Sequence, residues 1–208
     1  MKKENILKIF EVLEKFYNKD EFTELQYVNN YTLLIAVLLS AQATDKGVNK
    51  ATQELFKIAD TPEKILALGE DGLKEYLKTI NYYNTKTRNI IKLSQILIEK
   101  YSSKIPETRE GLESLPGVGR KTTNIILSIV FDKPVIAVDT HVFRVSNRIG
   151  LVKADNVYDV EMELYKIVPQ NMLKYINNWF VLLGRYICKA KKPDCQNCPL
   201  KDICEKHF

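Results

Sequence analysis

The chain has 208 residues, 45% of them hydrophobic and 27% charged; this fits one domain or two small lobes with a real core and excludes a disordered, collagenous or repeat protein. Thirty-one Lys and Arg against 26 Asp and Glu leave a charge of +5, which suits a polyanion partner but is common in proteins that bind none. The longest apolar run, Leu33 to Leu39, is far below the ~18 residues of a membrane span, and acidic residues interrupt the N-terminal segment where a signal peptide needs a bare apolar core, so a soluble cytoplasmic protein is expected.

In chain order, Ile6, Ile9, Phe10, Leu13, Phe16 and Tyr17 recur at helical spacing. Tyr31 to Ser40 is apolar on every side and reads as a buried helix. Asp45 stands where it can cap a helix running through Leu55 and Phe56, and Thr61 followed by Pro62 reads as an N-cap with proline at the first helical position. A long helix is predicted over Thr85 to Tyr101, with Ile90, Leu93, Leu97 and Tyr101 on one face. Arg109 to Leu115 looks helical, and another helix follows Gly119 through Ile125, Ile126, Ile129 and Val130. Asp139 can cap a helix with Val142, Val145 and Ile149 inward, and Asn171 to Arg185 reads as a further one. Pro134 to Val138 alone looks extended, and hairpin signals are absent. The predicted fold class is all-α, with a boundary near Phe131–Pro134.

The segment Leu115-Pro116-Gly117-Val118-Gly119-Arg120-Lys121-Thr122 lies between two predicted helices. A Walker A loop needs glycine immediately before its lysine, and Arg120 intervenes. A dinucleotide fold needs a preceding strand and a third glycine where Thr122 stands. The favoured reading, over a plain interhelical turn, is a helix-hairpin-helix whose backbone amides, at Gly117, Gly119 and Arg120, grip a nucleic-acid backbone without reading bases. Lys121 falls just inside the second helix. The positive helix end disfavours an ammonium there and favours the nucleophilic amine; simple phosphate contact is the other reading. Asp139, in Val138-Asp139-Thr140-His141, is an N-cap, a partner for Lys121, or both.

All four cysteines lie in the last 21 residues, spaced Cys188-x6-Cys195-x2-Cys198-x5-Cys204. In a reducing compartment this cluster points to metal, with zinc and an iron–sulfur cluster both open. Lys189, Lys191 and Lys192 fill the first loop. From Arg185 onward six basic residues face three acidic ones, a local surplus of the kind that meets phosphate.

Together these motifs, with Leu-Leu-Ser-Ala-Gln-Ala-Thr-Asp at 38–45 and Val-Asp-Thr-His-Val-Phe-Arg-Val at 138–145, closely resemble endonuclease III, the helix-hairpin-helix DNA glycosylase and abasic-site lyase. The resemblance covers essentially the whole chain. It implies two helical lobes with a DNA-binding cleft between them: a six-helix barrel over residues 22–132, and a lobe of residues 1–21 and 133–208 carrying a 4Fe–4S cluster on Cys188, Cys195, Cys198 and Cys204. It implies that Lys121 attacks the sugar of a flipped-out oxidised pyrimidine in duplex DNA, with Asp139 assisting. Gln42 matches the residue that fills the gap, and Ser40, Asp45 and Glu113 match positions near the lesion pocket. Tyr82 stands where the family has a wedge leucine. A monomer is expected, acting on damaged duplex DNA, in the cytoplasm or at the nucleoid of a bacterium. The alternatives are a relative acting on mismatched thymine or uracil, and a non-catalytic DNA-binding module.

Overall fold

The computed structural model describes residues 2–17 and 22–207. Among these there are α-helices, a few tighter or wider helical turns, and no strand. None of the helices is long and apolar enough to cross a membrane. The chain divides into two compact units, Glu24–Phe131 and Met1–Thr23 with Asp132–Phe208.

The first unit holds α2 (Asn30–Leu39), α3 (Asp45–Thr52), α4 (Leu55–Ile58), α5 (Pro62–Leu77), α6 (Tyr83–Tyr101), α7 (Arg109–Glu113) and α8 (Arg120–Phe131). Its axis is α2. Tyr31 through Leu39 are all buried, as a helix apolar on every side must be. A capping box starts it: the Asn29 side chain accepts from the Thr32 amide, and the Thr32 hydroxyl accepts from the Asn29 amide. The helix packs on α3, α6 and α8, and Tyr31 joins the buried Ser94 of α6 at 2.6 Å. The longest pairing is α5 on α6, with Leu73, Leu77, Ile90, Leu93 and Leu97 fully buried. Thr61 caps α5 and Pro62 begins it, as the sequence predicts.

Two expectations change here. Thr44, not Asp45, caps α3: its hydroxyl accepts from the Gly47 amide, and Asp45 becomes the first helical residue, where its charge still suits the positive helix end. The helix expected to continue through Phe56 is also broken, ending at Thr52 and resuming as the single turn α4.

The second unit holds α1 (Lys3–Phe16), α9 (Thr140–Arg148), α10 (Val157–Ile167) and α11 (Leu173–Leu182). One core joins Ile9, Phe10 and Leu13 of α1 to Val142 and Val145 of α9, Leu164 of α10, and Trp179 and Phe180 of α11. The segment Pro134 to Val138, expected to be extended, has no regular secondary structure and begins in a tight turn, the Val135 amide donating to the Lys133 carbonyl at 2.9 Å. Side chains satisfy its backbone instead: the Ile136 amide donates to the Tyr165 hydroxyl at 3.1 Å, and the Asn177 amide group donates to the Ala137 carbonyl at 2.7 Å. The last predicted helix is a composite, a 3₁₀ turn at Gln170–Met172, then α11, then a π turn at Leu183–Ile187.

Candidate functional site

The glycine motif forms the turn between α7 and α8. Thr108 caps α7 by accepting from the Gly111 amide. The turn closes through the Leu115 amide on the Leu112 carbonyl (3.1 Å) and the Val118 amide on the Leu115 carbonyl (3.0 Å). Leu115 and Val118 are buried and anchor the hairpin, while Gly117, Gly119, Arg120 and Lys121 face solvent. The two glycines differ. Gly117 has φ +81°, and a Cβ there would lie 2.7 Å from the Asn89 amide nitrogen of α6. At Gly119 a Cβ would meet nothing within 4 Å, so neither packing nor left-handed backbone demands glycine. The Gly119 carbonyl accepts from the Thr123 amide at 2.9 Å and opens α8. Lys121 is exposed in the first turn of α8.

Arg109 locks the hairpin from α7, donating to Asn124 of α8 at 2.6 Å and to Glu113 at 3.1 Å. Glu113 is exposed and ion-paired.

In the same unit, Ser40 ends α2 and donates to the Val37 carbonyl at 2.8 Å. Gln42 follows in an exposed turn with φ +56°, and Tyr82, 68% exposed, precedes α6 with φ +59°. The structure brings these two turns together: the Asn81 side chain donates to the Gln42 carbonyl at 2.8 Å. No sequence signal marks this bond from Asn81, nor the nearby Lys86, a lysine that reads as a surface charge yet is only 7% exposed.

Asp139 and the cysteines belong to the other unit. Asp139 is half-buried and caps α9, one carboxylate oxygen accepting from the amides of His141 (2.8 Å) and Val142 (2.9 Å). Burial holds His141 below the usual histidine range; its Nδ1 lies 3.2 Å from an Arg144 guanidinium nitrogen, which suits a structural neutral imidazole.

The four cysteines are half-buried and form no disulfide. Burial pushes the Cys198 and Cys204 thiols up, and their electrostatic coupling to the other cysteines adds to it. Donors lie against two of the four sulfurs: Arg148 approaches Cys188 Sγ at 3.9 Å, and the Lys206 amide donates to Cys204 Sγ at 3.4 Å. Among the described residues no three potential ligands close on a single ion. Four thiolates from one short segment, with donors aimed at sulfur, fit an iron–sulfur group. The basic loop between Cys188 and Cys195 is tied to α9, because Arg148 also donates to the carbonyls of Lys189 (2.6 Å) and Ala190 (2.9 Å). Lys189, Lys191 and Lys192 are left exposed.

Residues 35–170 match the HhH-GPD superfamily of base excision DNA repair proteins, and residues 188–204 match the iron–sulfur binding domain of endonuclease III. The chain is 53% identical to endonuclease III of Rickettsia conorii, over 100% of this chain and 99% of that protein. It is 50% identical to endonuclease III of Escherichia coli strain K12, over 90% of this chain and 89% of that protein. A solved structure of a trapped endonuclease III–DNA covalent intermediate superposes with a TM-score of 0.91 at 42% identity, covering 99% of this chain and 96% of that one. The chain belongs to the endonuclease III family of base excision repair proteins, and it is a DNA glycosylase and abasic-site lyase with a 4Fe–4S cluster.

Proposed function

We propose that this enzyme removes oxidised pyrimidines from duplex DNA and cuts the strand 3′ to the resulting abasic site, with Lys121 as nucleophile. The observation that carries the reading is an exposed lysine in the first turn of α8, directly after an exposed glycine hairpin. The target nucleotide leaves the stack, because its sugar carbon is unreachable within it. Gly117, Gly119 and Arg120 hold the phosphates beside it through the backbone. The Lys121 amine attacks C1′, forming a C–N bond as the bond to the base breaks and the base leaves with its electron pair. Ring opening gives a protonated Schiff base. This acidifies the hydrogen at C2′, and its loss expels the 3′ phosphate by β-elimination. Asp139 stabilises positive charge developing on the sugar and assists the proton transfers.

Gln42 fills the space left by the flipped nucleotide, and Tyr82 stacks as the wedge. Ser40, Asp45 and Glu113 border the lesion pocket. Cys188, Cys195, Cys198 and Cys204 would hold the 4Fe–4S cluster beside the loop of Lys189, Lys191 and Lys192, which Arg148 ties to α9 and which meets phosphate. The Glu24–Phe131 unit acts as the hairpin-bearing barrel lobe and the other as the cluster lobe, in a protein that works as a cytoplasmic monomer. The family match over the full length supports these assignments.

The test is a set of duplexes, each with one thymine glycol, one 5,6-dihydrouracil, one uracil, or one T:G mismatch. The reading predicts release and nicking at the first two. Preference for uracil or the mismatch would move the enzyme to the alternative substrate class.

A further inference from the structure

Lys86 lies in the first turn of α6 and is almost fully buried, a condition in which a lysine is ordinarily paired with a carboxylate. Its ammonium donates instead to two main-chain carbonyls, Leu39 at 2.9 Å and Ala41 at 2.5 Å. Leu39 ends α2, so the charge sits against the negative end of that helix and satisfies carbonyls left without helical partners. Burial holds Lys86 below the ordinary lysine value. The chain keeps an expensive group here, and its position indicates why.

Ala41 immediately precedes Gln42, and Gln42 and Tyr82 both adopt left-handed backbone, a conformation L side chains rarely take. Lys86 touches both turns. Its side chain holds the carbonyl before Gln42, and its own amide donates to the Tyr82 carbonyl at 3.0 Å. The Asn81 bond to the Gln42 carbonyl closes the link a second time. The Gln42 and Tyr82 side chains meanwhile remain exposed. Two left-handed, outward-facing residues 40 positions apart are thus tied together through Lys86 and Asn81. A pair held this way enters a ligand without losing backbone freedom on binding.

We propose that Lys86 is a positioning residue, pinning the Gln42 turn to the Tyr82 turn so that both side chains enter the gap in the duplex as one rigid unit. This rests on the reading of Gln42 and Tyr82 as gap-filling residues. It sets a specific expectation: Lys86 serves the reaction on duplex DNA and is dispensable where there is no base stack to enter.

The experiment measures single-turnover borohydride trapping on one abasic site, placed either in duplex or in the same strand alone, for wild type, Lys86→Met and Asn81→Ala. Lys86→Met should slow the duplex reaction roughly tenfold to hundredfold, the scale of a small misplacement of a working group, and leave the single-strand reaction unchanged. Asn81→Ala, whose side chain is exposed, should show a smaller loss in the same sense. With 2-aminopurine opposite the abasic site, wild type should change the fluorescence on binding and both variants should change it less. Equal slowing on both substrates, or none on either, would overturn the proposal. If Lys86→Met fails to fold, judged by its far-ultraviolet circular dichroism, the same comparison on Asn81→Ala decides. Wild type that traps on neither substrate would remove the functional reading and this inference with it, whereas a wild-type trap with uniform loss in the variants would remove only the inference.

Discussion

The two glycines of the hairpin should fail in different ways when each is changed to alanine. Gly117 has φ +81°, and its new Cβ would lie 2.7 Å from the Asn89 amide nitrogen. Left-handed backbone costs alanine about 1–2 kcal/mol, and moving the flexible Asn89 side chain adds a smaller amount. At about 2–4 °C per kcal/mol for a chain this long, Gly117→Ala should lower Tm by roughly 3–8 °C. Gly119 carries neither burden, with nothing within 4 Å of its Cβ position. Alanine there costs at most ~1 kcal/mol as the residue opening α8. Its smaller unfolded-state freedom returns about 0.4–1 kcal/mol, so Tm should barely move. The methyl would instead obstruct the amides proposed to hold a phosphate. Loss of one charge-assisted hydrogen bond, about 1.5–3 kcal/mol, should weaken binding to an abasic-site duplex roughly tenfold to hundredfold. Thermal unfolding by circular dichroism and fluorescence-anisotropy titration separate the two effects. Wild-type affinity in Gly119→Ala, or a Tm loss equal to that of Gly117→Ala, would show that the two glycines do not divide the work in this way.

Asp139→Asn should keep Tm, because asparagine caps as well as aspartate, while Asp139→Ala should lose about 1 kcal/mol with the two amide bonds to α9. Both should slow single-turnover excision roughly 10²- to 10⁴-fold, so the pair separates the cap from the chemistry. Tyr31 predicts an alkaline effect: burial, with Glu63 adding to it and the Ser94 bond opposing, raises its phenol above the ordinary value. The unfolded chain releases that proton near pH ~10 and the native one holds it longer, so stability falls as pH rises past about 10. In urea unfolding, Tyr31→Phe should be less stable by about 1 kcal/mol at neutral pH, because it loses its bond to Ser94. Its decline above about pH 10 should be shallower than wild type, by up to ~1.4 kcal/mol per pH unit.

Much of the fold was legible because its signals are local. The all-apolar stretch at Tyr31 to Ser40 admits only a buried helix, and Thr61 before Pro62 and Asp139 before its helix are caps that act within three residues. Thr44 displaced Asp45 as cap because either residue type can do that work and only the backbone angle decides. The split of Asn171 to Arg185 into three helical forms leaves no mark in apolar periodicity. At the site, the glycine hairpin and the cysteines stand out by spacing alone. Lys86 could not be found that way. Its burial depends on α2 ending at Leu39, 47 positions earlier, and a lone lysine on a helix reads as a solvated charge. The left-handed backbone of Gln42 and Tyr82 is equally silent, since neither is a residue type that announces a turn.

The proposed chemistry requires a Schiff base between Lys121 and DNA. The most direct measurement mixes the cluster-bearing protein with duplex containing thymine glycol, and separately with duplex containing an abasic site, adds sodium borohydride, and compares wild type with Lys121→Gln on a denaturing gel. Lys121 as nucleophile predicts a covalent protein–DNA band on both substrates for wild type and on neither for the variant. Wild type that binds both duplexes without forming a band, or a variant that still traps, would contradict it.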